Sequence, residues 1–248
     1  MRLLVPGSTG LSTLDDLDAA RLFAVYATPD PHWLRCNMVT SLDGAATGPD
    51  GRSGSINNDA DHVVFEVLRA SSHVVVVGAG TVRAEGYPPL SVQDSLVDLR
   101  REHGLPDVLP LVAVSNRGAV PPTLSGCRDG RALLAVPSSA AGLDAARADL
   151  GTDNVIVCGE DAVDLAALVA ALHERGWDQV LTEGGPSLLG SFLAAGQLDE
   201  LCYTVVPQVV GGEHPRTVGP QAVPAELHLE TLVEQDGTVM GRWLVRHR

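Results

Sequence analysis

The chain has 248 residues, of which 45% are apolar and 4% aromatic. A chain of this length can bury a large core, and no long linker or low-complexity segment divides it, which predicts a single domain. It carries 17 basic and 31 acidic residues, a formal charge of −14. This charge argues against nucleic acid or an anionic membrane surface as a partner, so an anionic ligand must be held by backbone dipoles and a few cations.

The cysteines are scattered along the chain, with no pair at the spacing of metal ligands. The N-terminus has no basic segment followed by a long apolar one, which argues against a targeting segment. We therefore expect a soluble cytoplasmic protein that binds no membrane and no metal. The four cysteines are Cys36, Cys127, Cys158 and Cys202.

Residues 1–32 mix apolar residues with proline, aspartate and serine, which predicts an N-terminal arm containing one short helix near residues 15–26. From Trp33 the sequence WLRCNMV is typical of a strand, and the Gly-, Ser-, Asn- and Asp-rich stretch after it predicts a long binding loop. Apolar residues at helical spacing then predict a helix over 59–70 with Asp59 as its cap.

A buried strand is predicted over 73–77, followed by the sequence GAGTVRAEG. There Gly78 and Gly80 let a ligand approach the backbone, and Thr81 can cap a short helix that stops at Gly86. Because such glycines are common after strands in α/β folds, this pattern alone indicates little about a ligand.

The rest of the chain alternates strand and helix patterns, which predicts right-handed crossovers and an α/β fold with a mostly parallel sheet. Two strand-like runs after Glu200, with no helix between them, predict antiparallel strands at one edge. The middle strands are predicted over 110–114, 132–136 and 154–157, and the middle helices over 140–150 and 162–175.

The stretch VLTEGGPSLLGS, at residues 180–191, predicts a strand, a glycine turn and a helix in succession. A helix that begins on glycines presents unpaired N–H groups and the positive end of its dipole, which together form a cradle for phosphate. An ordinary strand-to-helix turn capped by Ser187 would give the same pattern.

Four motifs stand in a fixed order and together resemble the reductase domain of the bacterial riboflavin-biosynthesis deaminase/reductase family. The resemblance covers the chain from about Trp33 to the C-terminus and implies a dihydrofolate-reductase-like fold over 33–248. The zinc motif of the deaminase half, His-x-Glu with Pro-Cys-x-x-Cys, is absent from the sequence, so the resemblance is to a stand-alone reductase domain. The motifs are NMVTSLDG at 37–44, VVVVGAGTVRAEGY at 74–87, LTEGGPSLLGSFLAAGQLDEL at 181–201 and PQVVGG at 207–212.

This resemblance implies NADPH-dependent reduction of the ribose of 5-amino-6-(5-phosphoribosylamino)uracil to the ribityl form. The cofactor supplies the chemistry, so the protein must place the reacting carbon atoms and exclude water, without a catalytic triad or metal cluster. The family is commonly dimeric through its C-terminal strands, which implies a homodimer.

For the cofactor, the resemblance implies that Val39 and Asp43 lie near the nicotinamide, although Asp43 is equally suited to bracing its own loop. Thr81 and Glu85 match dinucleotide contacts, where Glu85 replaces the usual aspartate. The other implied cofactor positions are Gly78, Gly80, Gly184, Gly185, Pro186, Ser187, Leu188 and Leu189.

For the 2′-phosphate of the cofactor, Ser115 and Arg117 follow a middle strand at the place where this fold class commonly supplies a serine or an arginine. An arginine at such a position is as often an ordinary surface residue, so the sequence leaves both interpretations of Arg117 open.

For the substrate, Glu183 matches a carboxylate that contacts pyrimidine N–H groups, and its alternative is a solvated charge at a strand end. Ser53 and Ser55 match positions in the substrate loop. Arg69 matches a substrate or phosphate partner, and its alternative is a structural arginine at the end of a helix.

Two departures from the family pattern leave the substrate open. Gln93 stands near the position of a phosphate-binding arginine, which weakens the prediction of the riboflavin intermediate. Asp61 lies where dihydrofolate reductases place the carboxylate that binds the pterin, which favours dihydrofolate or another pyrimidine. Asp61 is also simply stabilising in the first turn of a helix. Asp61 and Glu183 are the candidate catalytic residues, and a non-catalytic nucleotide-binding module is the remaining alternative.

Overall fold

The computed structural model describes residues 1–13, 16–220 and 223–246. Its strands are β1 (Arg2–Val5), β2 (Trp33–Ser41), β3 (Val74–Gly78), β4 (Leu111–Val114), β5 (Ala132–Val136), β6 (Val155–Val157), β7 (Gln179–Thr182), β8 (Glu200–Val206), β9 (Leu227–Gln235) and β10 (Thr238–Val245). Its helices are α1 (Ala19–Val25), α2 (Asp59–Ala70), α3 (Ala79–Glu85), α4 (Asp94–Glu102), α5 (Leu143–Leu150), α6 (Leu165–His173) and α7 (Pro186–Ala194).

All ten strands form one sheet in the order β1-β9-β10-β8-β2-β7-β3-β4-β5-β6. The seven strands from β8 to β6 pair in parallel, and β10, β9 and β1 add antiparallel pairs at one end. The predicted α/β class, with a mostly parallel sheet and an antiparallel edge, is confirmed. In detail, the first of the two runs after Glu200 is not itself an edge strand, because β8 pairs in parallel with β2 and antiparallel with β10.

The N-terminal segment contributes to the sheet. Strand β1 pairs with β9, with Arg2 opposite Glu234, so the outer edge of β9 is covered by the start of the chain. Helix α1 begins at Ala19 because the Asp18 carboxylate accepts the N–H of Arg21 at 2.9 Å. The start predicted for this helix, near residue 15, lies outside the described residues. Strands β1 and β9 and helix α4 were not predicted.

The central strands are buried on both faces, as expected for a parallel sheet covered by helices. In β3, every valine from Val74 to Val77 has no exposed surface. Val75 and Val77 pack in the cluster that includes residues of α1, α2 and α5, whereas Val74 and Val76 pack in the cluster that includes α6 and α7. Among the described residues, no helix is both long enough and apolar enough to cross a bilayer.

Three helix caps differ from the sequence prediction. The cap of α2 is Asn58, not Asp59, because a cap needs extended backbone and Asn58 has φ −141° and ψ 175°. Helix α3 begins after Gly78 without a side-chain cap, so Thr81 does not cap it. Helix α7 begins at Pro186, after Gly185, so Ser187 lies inside the first turn and does not cap it.

A buried charged network joins α1 to the antiparallel end of the sheet. Glu200 has no exposed surface and accepts from Nε of Arg242 at 2.8 Å and from the indole N–H of Trp33 at 2.8 Å. The Arg35 guanidinium lies 3.8 Å from the same carboxylate and donates to the carbonyl of Tyr26 at 2.8 Å. The network therefore satisfies carbonyl groups at the end of α1 as well as the buried charges.

Burial alone would raise the pKa of Glu200, but Arg35 and Arg242 lower it more strongly, from its ordinary value of 4.5 to about 2. A depressed folded-state pKa means that the ionised carboxylate stabilises the fold. That contribution is present above the unfolded-state pKa and is lost as the pH falls through the folded-state pKa.

Replacing Glu200 with glutamine should destabilise the protein by about 3–5 kcal/mol, because it leaves two buried guanidinium groups without a countercharge. Urea unfolding measures this loss, and Glu174→Gln at the exposed end of α6 is the matched control, expected within about 0.5 kcal/mol of the parent. The difference between parent and Glu200→Gln should shrink as the pH is lowered below about 4. A loss no larger than that of the control would contradict this account.

Candidate active site

A cleft of about 420 Å³ lies at the carboxyl ends of the central parallel strands. Its walls come from the end of β2, the loop after β2, helices α2 and α3, and the turn between β7 and α7. Ligands of open α/β sheets bind at this end of the strands. The sheet order places β2, β7 and β3 side by side, so residues far apart in the sequence meet here.

The glycine turn after β7 is bonded to the end of β3. The N–H of Gly78 donates to the carbonyl of Gly184 at 2.7 Å, and the N–H of Gly185 donates to Oγ1 of Thr81 at 2.9 Å. Gly184 has φ +74°, which favours glycine, and a Cβ on Gly185 would lie 2.5 Å from Oγ1 of Thr81. Both glycines are therefore required by local geometry, and Thr81 serves as an acceptor between the two turns.

The same two turns present groups suited to an anion. Helix α7 begins without a side-chain cap, which leaves its first free N–H groups, those of Ser187 and Leu188, to be satisfied from outside the helix. The first turn of α3 leaves room for a ligand at Gly80, because a Cβ added to this glycine would meet no atom within 4 Å. The side chains of Leu188 and Leu189 are buried in the core, so only their backbone can face a ligand. This donor set fits the diphosphate of a dinucleotide.

Arg69 and Glu183 form a two-pronged ion pair inside the cleft wall. Nε and Nη2 of Arg69 donate to Oε1 and Oε2 of Glu183 at 2.7 and 2.9 Å. The guanidinium also lies over the ring of Phe65, 4.0 Å from its centroid. Glu183 is 7% exposed, so it is not a solvated strand-end charge. Arg69 lies at the end of α2 and is committed to this carboxylate.

Tyr87 lies beside this pair and lines the cleft together with Glu183. Burial and the neighbouring Glu183 carboxylate raise the pKa of its phenol, and the two side chains are hydrogen-bonded. The phenol is therefore held protonated, as a hydrogen-bond donor to Glu183.

Asp61 is 1% exposed and lies in the first turn of α2, facing the cleft. Burial raises the pKa of its carboxyl, and a hydrogen bond with Thr204 opposes that effect. Its Oδ1 has no hydrogen-bond partner in the protein, and neither has Oδ1 of Asn37 or of Asn57, both of which also line the cleft.

The loop after β2 is held against α3 by Glu85. Its carboxylate accepts from the N–H of Ser53 at 3.0 Å and from the Ser53 hydroxyl at 3.1 Å, and both residues line the cleft. Ser55 is exposed and donates to Asp50 at 2.6 Å. The structure therefore brings Ser53 and Glu85 together in the cleft wall, whereas Ser55 braces the loop from outside the cleft lining.

The structure separates two residues predicted near the nicotinamide, Val39 at the end of β2 and Asp43 in the loop that follows. Val39 is half-buried and lines the cleft. Asp43 is exposed and outside the lining, and it accepts from the Ser41 hydroxyl and from the N–H groups of Gly211 at 2.8 Å and Val210 at 3.2 Å. These hydrogen bonds lower the pKa of Asp43 to about 2. The geometry of Asp43 is that of a residue bracing two loops.

Ser115 and Arg117 follow β4, beyond β3 and outside the cleft lining. Ser115 is buried, whereas Arg117 is exposed and makes no ion pair with any residue that the structure describes. Gln93, at the position where an arginine was expected, is the exposed cap of α4 and lines a second hollow together with His62 and Arg69.

The cleft residues that were not predicted from the sequence include Asn37, Asn57 and Tyr87. Asn37 carried a usable signal, because a polar side chain in the middle of a buried strand must find a partner. Asn57 and Tyr87 lie in loops with many polar or proline neighbours, where the sequence gives no hint of which side chains turn inward.

A sequence profile of the RibD C-terminal domain matches residues 32–240. The chain belongs to the RibD C-terminal domain family. The family predicted from the four motifs is thereby confirmed.

Members of this family and related folds match most of the chain. A relative from Archaeoglobus fulgidus, named 2,5-diamino-6-ribosylamino-4(3H)-pyrimidinone 5′-phosphate reductase, is 31% identical over 183 residues, which make up 73% of this chain and 83% of the relative. The riboflavin biosynthesis protein RibD of Bacillus amyloliquefaciens is 29% identical over 224 residues, 88% of this chain and 56% of the relative, so the chain spans about half of that protein.

A crystal structure of a pyrimidine reductase-like protein from Corynebacterium diphtheriae is similar with a TM-score of 0.81 and 23% identity, over 94% of this chain and 100% of that one. At this identity the likeness shows a shared fold. The relatives named as pyrimidinone phosphate reductases are oxidoreductases, which agrees with the prediction of a reductase.

Replacing Thr81 with valine keeps the shape of the side chain but removes the acceptor for the buried N–H of Gly185. We expect a loss of about 1–3 kcal/mol in unfolding free energy, the cost of an unsatisfied buried donor. Urea unfolding of Thr81→Val should show this loss, whereas Thr81→Ser and the exposed Thr123→Val should stay close to the parent. Equal stability of Thr81→Val and Thr81→Ser would show that this hydrogen bond contributes nothing.

Proposed function

We propose that this chain reduces the ribose of a phosphoribosylaminopyrimidine to its ribityl form with NADPH, as a reductase of riboflavin biosynthesis. The observation that carries the proposal is the cleft itself. It combines a buried carboxylate held in place by an arginine with uncapped helix starts at the ends of adjacent parallel strands. The family membership and the names of the relatives support the same reaction.

The chain's own groups then have separate tasks. NADPH supplies the hydride when it is bound, and the first turn of α7 and the open space at Gly80 suit its diphosphate. Met38 and Val39, half-buried at the end of β2, offer an apolar wall for the nicotinamide. Glu183 offers its carboxylate to N–H or O–H groups of the substrate, and Arg69 fixes the orientation of that carboxylate.

A second candidate is the reduction of dihydrofolate or another pterin. It is favoured by one observation, the buried Asp61 in the first turn of α2, facing the cleft. The ribosylaminopyrimidine ranks first because the family relatives are named for that substrate.

Turnover assays distinguish these possibilities. We expect the purified chain to oxidise NADPH in the presence of a phosphoribosylaminopyrimidine and to form the ribityl product, which mass spectrometry identifies. Dihydrofolate should give little or no oxidation. Oxidation with dihydrofolate alone would reverse the ranking. If NADPH raises the melting temperature but no substrate is reduced, the chain is a non-catalytic nucleotide-binding module.

Preference for NADPH over NADH is proposed to rest on Arg117, an exposed cation without an ion-pair partner among the described residues. Arg117→Ala should weaken NADPH binding about tenfold or more, because a charge-assisted contact with the 2′-phosphate is lost, and should leave NADH binding almost unchanged. Calorimetric titration measures both affinities. Arg175→Ala is the control with the same charge change, because Arg175 lies between α6 and the amino end of β7, whereas Arg117 follows the carboxyl end of β4. Equal effects of Arg117→Ala on both cofactors would place the 2′-phosphate elsewhere.

We also infer a homodimer in the cytoplasm. The cytoplasmic location is supported by the cysteines, all of which are free. The assembly is supported by the family resemblance rather than by an open edge of the C-terminal strands, since β1 covers β9.

A further inference from the structure

Two histidines and an aspartate meet at the end of the sheet opposite the cleft. They are His32, directly before β2, His173, the last residue of α6, and Asp178, directly before β7. Each offers one ligand atom, an imidazole nitrogen or a carboxylate oxygen, and these atoms all lie within 4.8 Å of one another. Nδ1 of His32 lies 3.0 Å from Oδ1 of Asp178, and the centroids of the two imidazole rings are 4.6 Å apart.

The fold itself brings these residues together. Strands β2 and β7 are parallel neighbours in register, so the residues that precede them, His32 and Asp178, lie side by side. The N–H of Trp33 donates to the carbonyl of Asp178 at 2.9 Å. The turn after α6 is closed by the N–H of Gly176, which donates to the carbonyl of His173 at 2.8 Å. All three side chains therefore project from hydrogen-bonded backbone.

The segment that carries His32 is held from both sides. The Asp30 carboxylate accepts the backbone N–H of His32 at 2.9 Å. The side-chain amide of Gln179 donates to the carbonyl of Asp30 at 3.1 Å and to that of Pro31. The backbone N–H of Gln179 donates in turn to Nδ1 of His73 at 3.0 Å. Because this backbone is already ordered, a ligand that binds here loses less free energy to ordering it.

The types of ligand atom select the class of ion. Imidazole and carboxylate groups bind Zn²⁺ and neighbouring transition metals, whereas Mg²⁺ and Ca²⁺ prefer sites made of oxygen alone. Around a tetrahedral Zn²⁺ with bonds of about 2.0–2.1 Å, neighbouring ligand atoms lie about 3.3–3.4 Å apart. The 3.0 Å between His32 and Asp178 is close to this spacing. The wider gaps close by rotation of side chains that are exposed or half-buried.

We propose that His32, His173 and Asp178 form a binding site for Zn²⁺ and chemically similar divalent transition metals, with water completing the coordination. The ion joins the amino ends of β2 and β7 to the last turn of α6, so its binding stabilises the folded chain. Five residue steps separate Asp178 from Glu183, about 16 Å along an extended strand, so the ion takes no part in hydride transfer. The inference is therefore independent of the proposed function.

This site departs from the expectation that the chain binds no metal. That expectation came from the spacing of the cysteines, and none of the three proposed ligands is a cysteine. His173 and Asp178 are close in the sequence, but His32 belongs to a distant segment, so no local spacing pattern indicates the site. The parallel pairing of β2 with β7 is what brings the third ligand to the other two.

Calorimetric titration of the untagged chain with Zn²⁺ tests the proposal. The parent should bind one ion, and His173→Gln should bind it about 100-fold more weakly or worse, because losing a ligand costs at least as much as losing a residue that supports one. His32→Gln should have the same effect, and its exposed position makes unfolding no explanation. His228→Gln, at an exposed position of β9, is the matched control and should bind Zn²⁺ as the parent does.

Two further measurements identify the ligands. Zn²⁺ at about 100 times its Kd should raise the Tm of the parent by about 5 °C or more, and should leave the Tm of His173→Gln almost unchanged. Co²⁺ bound in place of Zn²⁺ should show the visible absorption of a site with nitrogen and oxygen ligands. A cysteine ligand would add an intense thiolate charge-transfer band, which we expect to be absent.

Equal Zn²⁺ affinity in the parent, His32→Gln and His173→Gln would overturn the proposal, because the ion would then bind elsewhere. A thiolate band with Co²⁺, or a parent that does not bind Zn²⁺, would overturn it as well. NADPH oxidation by His32→Gln and His173→Gln should match that of the parent. Failure of the metal site and failure of the proposed reductase function are therefore separate results.

Discussion

The ion pair between Arg69 and Glu183 is the interaction on which the cleft depends. Glu183 directly follows the central strand β7, and Arg69 reaches it from the last turn of α2, so the pair joins the sheet to the helix that forms the opposite wall. The guanidinium lies 4.0 Å from the ring centroid of Phe65 and 5.5 Å from that of Tyr87. A two-pronged contact in this largely buried setting holds a carboxylate in one orientation, which is what a group that positions a substrate requires.

Buried charge is treated differently at the antiparallel end of the sheet and in the cleft. At the antiparallel end, Glu200 is matched by Arg35, Arg242 and Trp33, and all these groups serve stability. In the cleft, the oxygen of Asp61 remains unpaired despite equal burial. The unpaired oxygen in the cleft lowers the stability of the fold, whereas the paired charges around Glu200 contribute to it. This is usual where binding groups must stay available for a ligand.

Much of this architecture followed from the sequence, because apolar runs such as Val74–Val77 and helical spacing over Asp59–Ala70 are local signals. Strands β1 and β9 were missed because their pairing joins the two ends of the chain, and β9 has half-exposed polar positions with no clear alternation. Matching the family motifs predicted Glu183, Thr81 and Glu85 as site residues, and all three line the cleft. It could not show that Asp43 faces the loop at Gly211, since side-chain direction after a turn depends on tertiary contacts.

The central claim is that hydride passes from NADPH to the ribosyl carbon of a pyrimidine substrate bound in this cleft. The most direct measurement is turnover with NADPH that carries deuterium at the transferable position of carbon 4, followed by mass spectrometry of the product. The account predicts one deuterium in the ribityl chain of the product, and none there when the label is placed in the solvent instead. A ribityl product without deuterium from the labelled cofactor would contradict it.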